Sequence, residues 1–195
     1  TDSTSDVVNI KEGATLSIEN DATISTLNVE KTEGENDVAI SSTTGTLTIS
    51  SATYNSADIK TSGIIKLPDT TEDNKIGKLK IESGELTIET LNATSLNVVA
   101  GTFKNTTMNV TSVENAGTIE STTVNVAGDL SNDGTMNVAT TNIGGNLNDT
   151  GTWTESGIIK FVGTNDQSFV PNSSTTYATI NVEKTSGILI IKDVL

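Results

Sequence analysis

The chain has 195 residues and a formal net charge of −14, and it contains no Cys, no His and no Arg. These absences exclude disulfides, Ser-His catalytic triads and the Cys and His ligands of most zinc sites. The negative charge argues against nucleic acid and anionic membrane as partners. Thr, Ser and Asn make up 75 residues, and Ile and Val together outnumber Leu by 34 to 12, which favours a polar chain built from β-strands.

In chain order, residues 1–83 predict β units of irregular length. Gly13 opens an early unit, and Gly45 and Gly63 open two more that are 18 residues apart. From Gly63 to Gly84 the spacing widens to 21 residues. Segment 68–75 combines Pro with Asp, Asn and Thr, which predicts an inserted loop at this point.

Residues 84–163 predict regular units of about 17 residues. Each unit begins with a glycine, and the interval is 16 or 17 residues: Gly84, Gly101, Gly117, Gly134 and Gly151. In the first four units a Thr follows six residues after the glycine and an Asn follows eight residues after it: Thr90, Thr107, Thr123, Thr140, Asn92, Asn109, Asn125 and Asn142. Mostly apolar residues stand between and after them. This alternation is the period of a strand, so the apolar side chains face one side and the Thr and Asn face the other.

Polar residues that are typical of turns precede the next glycine of these units: Asn115, Asn132, Asp133, Asn148 and Asp149. A unit of this length cannot bury its apolar edge alone, so we expect the units to stack in parallel. The sequence therefore predicts an all-β fold, a single right-handed parallel β-solenoid over residues 1–195, with the hand taken from the crossover rule. An antiparallel β-sandwich, with turns every 8–12 residues or so, is the alternative.

Residues 164–195 predict a last turn that either closes the solenoid or extends it. The segment that ends the sequence is strongly apolar: Ile188, Leu189, Ile190 and Ile191. It fits a final strand that lies along the core. It also fits a strand that joins a neighbouring subunit, or a chain cut from a longer repeat protein.

Two patterns resemble known surface proteins. Residues 161–169 (FVGTNDQSF) followed by 177–187 (YATINVEKTSG) resemble a repeat of large bacterial surface proteins, notably Bacteroidetes-type adhesins. The recurring Gly-Thr-apolar and apolar-Asn-apolar patterns are similar to the β-helical passengers of autotransporters and filamentous haemagglutinins, although the Asn-Pro motifs of a haemagglutinin secretion domain are missing. The resemblance implies an extracellular, cell-surface module with a structural or adhesive role and no catalytic one.

The Thr and Asn columns form the candidate contact surface. Stacked in register, they offer a repetitive face of hydroxyl and amide groups to a polysaccharide or to a host or neighbouring-cell surface. The alternative is that Thr simply suits a solvated strand and that stacked Asn side chains bond to one another. A second functional hypothesis is self-assembly, in which subunits join end to end through their terminal strands.

Carboxylates are the remaining candidates for catalysis or metal binding. Asp129, Asp133 and Asp149 lie near turns of adjacent units, but six scattered aromatic residues do not indicate a sugar-binding cleft, so we expect no enzyme activity. Two acidic groups could offer oxygen ligands to calcium, one of Asn132, Asp133 and Asp149 and one of Asp69, Glu72, Asp73 and Asn74. Neither matches a known calcium motif, so no metal and no cofactor are predicted. The apolar runs are too short to predict insertion into a membrane.

Overall fold

The computed structural model describes residues 6–31, 37–154 and 157–192. In this part of the chain there are twenty strands and no helix, and the strands stack as a β-solenoid of about ten turns. All of the recorded strand pairings are parallel, which confirms the solenoid and excludes the sandwich. The strands are β1 (Val7–Lys11), β2 (Thr15–Ile18), β3 (Ala22–Ile24), β4 (Thr26–Glu30), β5 (Val38–Ile49), β6 (Ala52–Thr53), β7 (Ile59–Lys66), β8 (Ile76–Ile81), β9 (Glu85–Thr87), β10 (Thr90–Val98), β11 (Thr102–Asn115), β12 (Thr118–Val126), β13 (Leu130–Asn132), β14 (Thr135–Ile143), β15 (Leu147–Asp149), β16 (Thr152–Trp153), β17 (Ile158–Phe161), β18 (Gln167–Val170), β19 (Thr179–Val182) and β20 (Leu189–Ile191).

Each regular turn contributes to three stacked columns of strands. The amide face consists of β1, β4 and β6, which form a separate three-stranded sheet, and then of segments 90–93, 107–110, 123–126 and 140–143, followed by β17 and β19. Segment 68–75 lies between these two parts and is hydrogen-bonded to both. The glycine face consists of β3, β9, β16 and the segments that follow the repeated glycines. The third face consists of β2, β8, β13, β15, β18, β20 and segments 38–42, 59–61, 95–98 and 112–115. Longer strands such as β11 pass from one face to the next.

The predicted alternation is confirmed, because the apolar positions stack inside the solenoid and the Thr and Asn positions lie outside. Each face contributes at least one interior column whose members come from successive turns: Leu86, Phe103, Ile119, Met136 and Trp153 on the glycine face; Leu91, Met108 and Val124 on the amide face; Leu96, Val113, Leu130 and Leu147 on the third face. All of these side chains are buried. These columns make the core continuous along the stack. Burying each large apolar side chain stabilises the fold by roughly 1.5–3 kcal/mol.

The repeated glycines are explained by close stacking of their own backbones. A Cβ on Gly101 would lie 2.3 Å from the carbonyl oxygen of Gly84, and one on Gly134 would lie 2.1 Å from that of Gly117. Gly84 and Gly101 also have φ near +80°, at +80° and +84°, a region that side chains strongly disfavour. The period of about 17 residues is therefore set by a column in which no side chain fits.

The segment 68–75 lies between β7 and β8 and folds back onto the solenoid. Asn74 anchors it from the inside, because its Oδ1 accepts from the backbone N–H of Tyr54 at 2.7 Å and its Nδ2 donates to the carbonyl of Ala52 at 2.8 Å. The Tyr54 hydroxyl donates to the carbonyl of Pro68 at 3.2 Å. Burial, with a further contribution from Asp69, raises the pKa of Tyr54 far above its ordinary value.

Candidate functional site

The Asn residues of the amide face form one continuous ladder of side-chain hydrogen bonds. Asn109 Nδ2 donates to Asn92 Oδ1 at 3.0 Å, and Asn125 Nδ2 donates to Asn109 Oδ1 at 2.8 Å. Asn142 Nδ2 donates to Asn125 Oδ1 at 2.7 Å. Because the strands are paired in register, every donor points the same way, towards the N-terminal turns. We call Asn92, Asn109, Asn125 and Asn142 the amide ladder.

The four Thr positions of the motif form a second column beside the amide ladder. Thr90 pairs with Thr107, Thr107 with Thr123, and Thr123 with Thr140. All four side chains are half-buried on the outer side of the strands. The eight residues singled out in the sequence therefore lie together on four successive turns of one face.

The segment 68–75 covers one end of the amide ladder. The Thr70 hydroxyl accepts a hydrogen bond from the backbone N–H of Asn92, and Asn92 Nδ2 donates to the carbonyl of Thr70 at 2.7 Å. Asn92 is only 7% exposed as a result. The open part of the ladder is thus Asn109, Asn125 and Asn142, which are half-buried.

A groove of about 410 Å³ runs along the open part of the amide ladder. One wall is the ladder itself, and the other is the corner where the chain passes from the amide face to the third face. The corner residues are Thr94, Thr111, Ala127, Gly144 and Val162. Glu72 and Lys75 of the inserted segment line the end nearest the N-terminal turns. The volume falls within the range of about 300–1,000 Å³ that is typical of ligand sites.

Three residues that the sequence assigned to turns instead point into the solenoid. Asn115, Asn132 and Asp149 are paired in register on the third face and are buried, with Asp149 0% exposed. Asn115 Nδ2 donates to Asn132 Oδ1 at 2.7 Å, and Asn132 Nδ2 donates to Asp149 Oδ1 at 2.8 Å. The turn interpretation is wrong for these residues, because each is the last residue of a strand and its side chain faces inward.

We call the buried column of Asn115, Asn132 and Asp149 the interior ladder. Tyr177, from a later segment, bonds to its last member. The Tyr177 hydroxyl donates to Asp149 Oδ2 and accepts from the backbone N–H of Asn172 at 2.8 Å. The backbone N–H of Gly151 also donates to Asp149 Oδ1, at 3.2 Å. Desolvation and the hydrogen bond to Asp149 raise the pKa of Tyr177 well above its ordinary value. No signal in the sequence links Tyr177 to Asp149, since they are 28 positions apart.

The carboxylates considered for catalysis occupy different environments. Asp149 is buried inside the solenoid, whereas Asp129 and Asp133 are exposed. Asp129 Oδ1 accepts from the backbone N–H of Asn146 at 2.7 Å, and Asp133 Oδ1 accepts from the Thr150 hydroxyl at 2.5 Å. These contacts tie each surface carboxylate to the neighbouring turn.

The acidic groups considered for calcium are held by similar structural contacts. Asp69 Oδ1 accepts from the backbone N–H of Thr90 at 2.8 Å, and both ends of the Asn74 amide are used by β6 and Tyr54. Among the described residues no group of three or more Asp and Glu side chains could hold a metal ion.

The predicted assembly strand lies on the last turn that the structure describes. Ile188, Ile190 and Ile191 are exposed, Ile191 to 61%, and Leu189 is half-buried. β20 pairs with β18 on the third face through Gln167 and Phe169. Residues 193–195, the end of the predicted last turn, lie outside the described residues.

The chain matches no protein-family profile, no curated protein and no solved structure. Within residues 6–31, 37–154 and 157–192, no helix has the length and apolar character needed to cross a membrane.

Proposed function

We propose that the chain is a non-enzymatic structural and adhesive module of a bacterial surface protein. It is a stiff extracellular rod that holds the amide face towards a polysaccharide or towards a host or neighbouring-cell surface. The observation that carries this proposal is the amide ladder, whose open part repeats one chemistry over three turns beside a groove.

The stiffness of the rod follows from the way in which successive turns are joined. Successive turns are hydrogen-bonded to one another through columns of parallel strands, and about ten turns at roughly 4.8 Å each give a length of about 50 Å. Side-chain ladders add bonds in the same axial direction. A rod of this kind resists bending because any bend must stretch these bonds on one side.

The surface chemistry supports a role outside the cell among solvated partners. The outer columns are rich in Thr and Asn, and the net charge of −14 keeps the rod soluble and repels anionic surfaces. Lys104 of the glycine face is paired with acidic neighbours, because its Nζ lies 2.7 Å from a carboxylate oxygen of Glu85 and 3.8 Å from one of Glu120. A neutral polar partner therefore fits this surface better than a polyanion does.

Two measurements test the proposal. Small-angle X-ray scattering should give a rod about 50 Å long that keeps its cross-section as salt is raised. Beads coated with the chain should be retained under flow on layers of bacterial or epithelial cells, and beads coated with albumin should not. A compact, nearly spherical particle, or equal retention of the two kinds of bead, would overturn the proposal.

Self-assembly is a second candidate function, favoured by the apolar side chains on the last described turn. Val182, Ile188, Ile190 and Ile191 are all exposed there, and a further parallel strand laid on this turn would cover them. If two copies join in this way, the mass measured by light scattering rises with concentration. Ile190→Lys should abolish the rise, whereas Ile64→Lys, at a site that is equally exposed on the glycine face, should leave it unchanged. A constant mass for the parent chain would exclude self-assembly.

A further inference from the structure

The groove beside the amide ladder offers hydrogen bonds that the ladder itself does not use. An Asn side chain has two N–H donors and an oxygen that accepts two bonds. Within the ladder, Asn109 and Asn125 each donate one bond and accept one. Each therefore keeps one N–H and one acceptor position for a ligand, and the pair recurs at every turn of roughly 4.8 Å.

The opposite wall of the groove combines hydroxyl groups with small apolar groups. Thr94, Thr111, Ala127 and Gly144 line it, and Val162 lies at the end nearest the C-terminal turns. Ala127 is exposed, and so is Val162, although Val162 is a large apolar residue. A ligand that fills this groove thus meets amides on one side and both hydroxyl and methyl groups on the other.

The same residues exclude several kinds of ligand. Glu72 and Lys75 carry the only charges among the lining residues, they have opposite signs, and they stand together at one end. The lining contains no aromatic ring on which a sugar or a base could stack. The groove lacks the charges that a polyanion or a polycation would need and the aromatic rings on which nucleic-acid bases would stack. The ligand is therefore uncharged and is recognised through hydrogen bonds and methyl contacts.

We infer that the groove binds a linear, uncharged glycan that carries acetamido groups, with its chain parallel to the solenoid axis. This inference rests on the proposed function and names the ligand of the same face. An acetamido group has an amide that complements the free N–H and acceptor of an Asn of the ladder, and a methyl group that packs against Ala127 and Val162. Successive units of an extended β-1,4-linked chain are turned by about half a revolution. Alternate units therefore present their acetamido groups to the ladder, so that these groups meet every second rung, at roughly twice the rise of about 4.8 Å per turn.

The test compares two probes that differ only in the acetamido group. N-acetylchitohexaose and cellohexaose share the same linkage, and the second has a hydroxyl where the first has the acetamido group. In NMR titrations of the full chain, N-acetylchitohexaose should shift the amide resonances of Asn109 and Asn125. Cellohexaose should bind at least about tenfold more weakly, because its hydroxyl cannot make the paired amide hydrogen bonds and the methyl contact of an acetamido group.

A pair of alanine variants locates the site without touching the amide ladder. Ala127 is exposed and lines the groove, whereas Ala139 is exposed at a corner outside it. Ala127→Glu should fill the groove and weaken binding of N-acetylchitohexaose by about tenfold or more, and Ala139→Glu, with the same change of charge, should have no effect. Circular dichroism confirms that both variants keep the fold.

Each of the remaining results would overturn the inference. Equal binding of the two probes would show that the acetamido group is not recognised. Binding that survives Ala127→Glu would show that the ligand lies outside the groove. If neither probe binds while the scattering and bead measurements succeed, the ligand assignment fails and the proposed function stands. If those measurements fail as well, the proposed function fails with it.

Discussion

Asn132 is held inside the solenoid by bonds on both sides of its side chain. Its Oδ1 accepts from Asn115 and its Nδ2 donates to the Asp149 carboxylate, at 2.7 and 2.8 Å. A buried carboxylate is tolerated only when its oxygens are paired. Here Asn132, Gly151 and Tyr177 all donate to Asp149, so the interior ladder joins three turns and the segment that contains Tyr177.

Replacing Asn132 should therefore cost far more stability than replacing a similar residue that faces outward. We expect Asn132→Ala to lower the free energy of unfolding by about 3 kcal/mol, because it removes a donor from a buried carboxylate and leaves a cavity. Asn148→Ala lies on the strand of Asp149 but is exposed, and its effect should stay within about 0.5 kcal/mol. Urea denaturation measures the free energy of unfolding of both variants. Equal losses would show that the interior ladder stabilises the fold no more than an exposed Asn does.

The two tyrosines make the stability of the fold depend on pH, and their ionisation can be followed by ultraviolet absorbance. The pKa values of Tyr54 and Tyr177 are both raised by burial in the folded chain, whereas an unfolded tyrosine ionises at about pH 10. The protonated phenol is thus favoured by folding, so this contribution is complete below about pH 10 and is lost as the pH rises towards the folded values.

The chain has two tyrosines, so the tyrosinate signal reports on these residues alone. We expect no tyrosinate absorbance in the folded chain at roughly one pH unit above the ordinary value, while the chain in urea shows the full signal. Circular dichroism of the same samples establishes that the chain is folded. Ionisation at about pH 10 in a chain that keeps its strand signal would contradict the burial of both hydroxyls.

At the scale of the strands, the glycine column controls how closely successive turns approach. Gly101 combines a φ of +84° with a Cβ position that is 2.3 Å from a backbone oxygen. Gly101→Ala should lower the free energy of unfolding by about 3 kcal/mol. Gly128→Ala is the milder comparison, because Gly128 has no positive φ and its Cβ would lie within 3 Å of one atom, the Thr111 oxygen at 2.8 Å; we expect a loss of about 1 kcal/mol. A larger loss at Gly128 in thermal or urea denaturation would rule out this account of the period.

The elements that the sequence predicts well are those in which one requirement fixes one residue type. A glycine is required at Gly101 by a backbone contact, and apolar residues are required at Met108 and Val124 by the core. Glycines and apolar residues therefore recur at the period of the turn. The outer columns Thr107 and Asn109 follow from strand alternation. For these positions the pattern in the sequence and the contacts in the structure have the same cause.

Other features depend on contacts that alternation does not encode. Asn115 and Asn132 precede glycines, where an Asn suits a turn as well as it suits an inward position. They face inward because Asp149 and Tyr177 supply partners from later turns. Likewise, the sequence predicts a loop at 68–75 but not that it folds back and covers Asn92, since this depends on the Asn74 and Thr70 contacts.

At the scale of the whole molecule, each turn contacts its neighbours and little else, so a complete turn should be removable. Deleting residues 118–134 joins Gly117 to Thr135 and brings β11 onto β14. Phe103 would then stack on Met136, Asn109 on Asn142, and Asn115 on Asp149. The axial hydrogen bonds, the core and both ladders keep their phase.

We expect this deletion to fold into a solenoid that is shorter by about 4.8 Å and still unfolds cooperatively. Deleting residues 118–125 instead removes the glycine-face strand of one turn and most of its amide-face segment, so that this turn cannot close and the chain should not fold. Circular dichroism, size exclusion and urea denaturation distinguish the two variants. If both unfold alike, the turns are not equivalent units, because a stack held by contacts between adjacent turns tolerates the loss of a whole turn but not the loss of part of one.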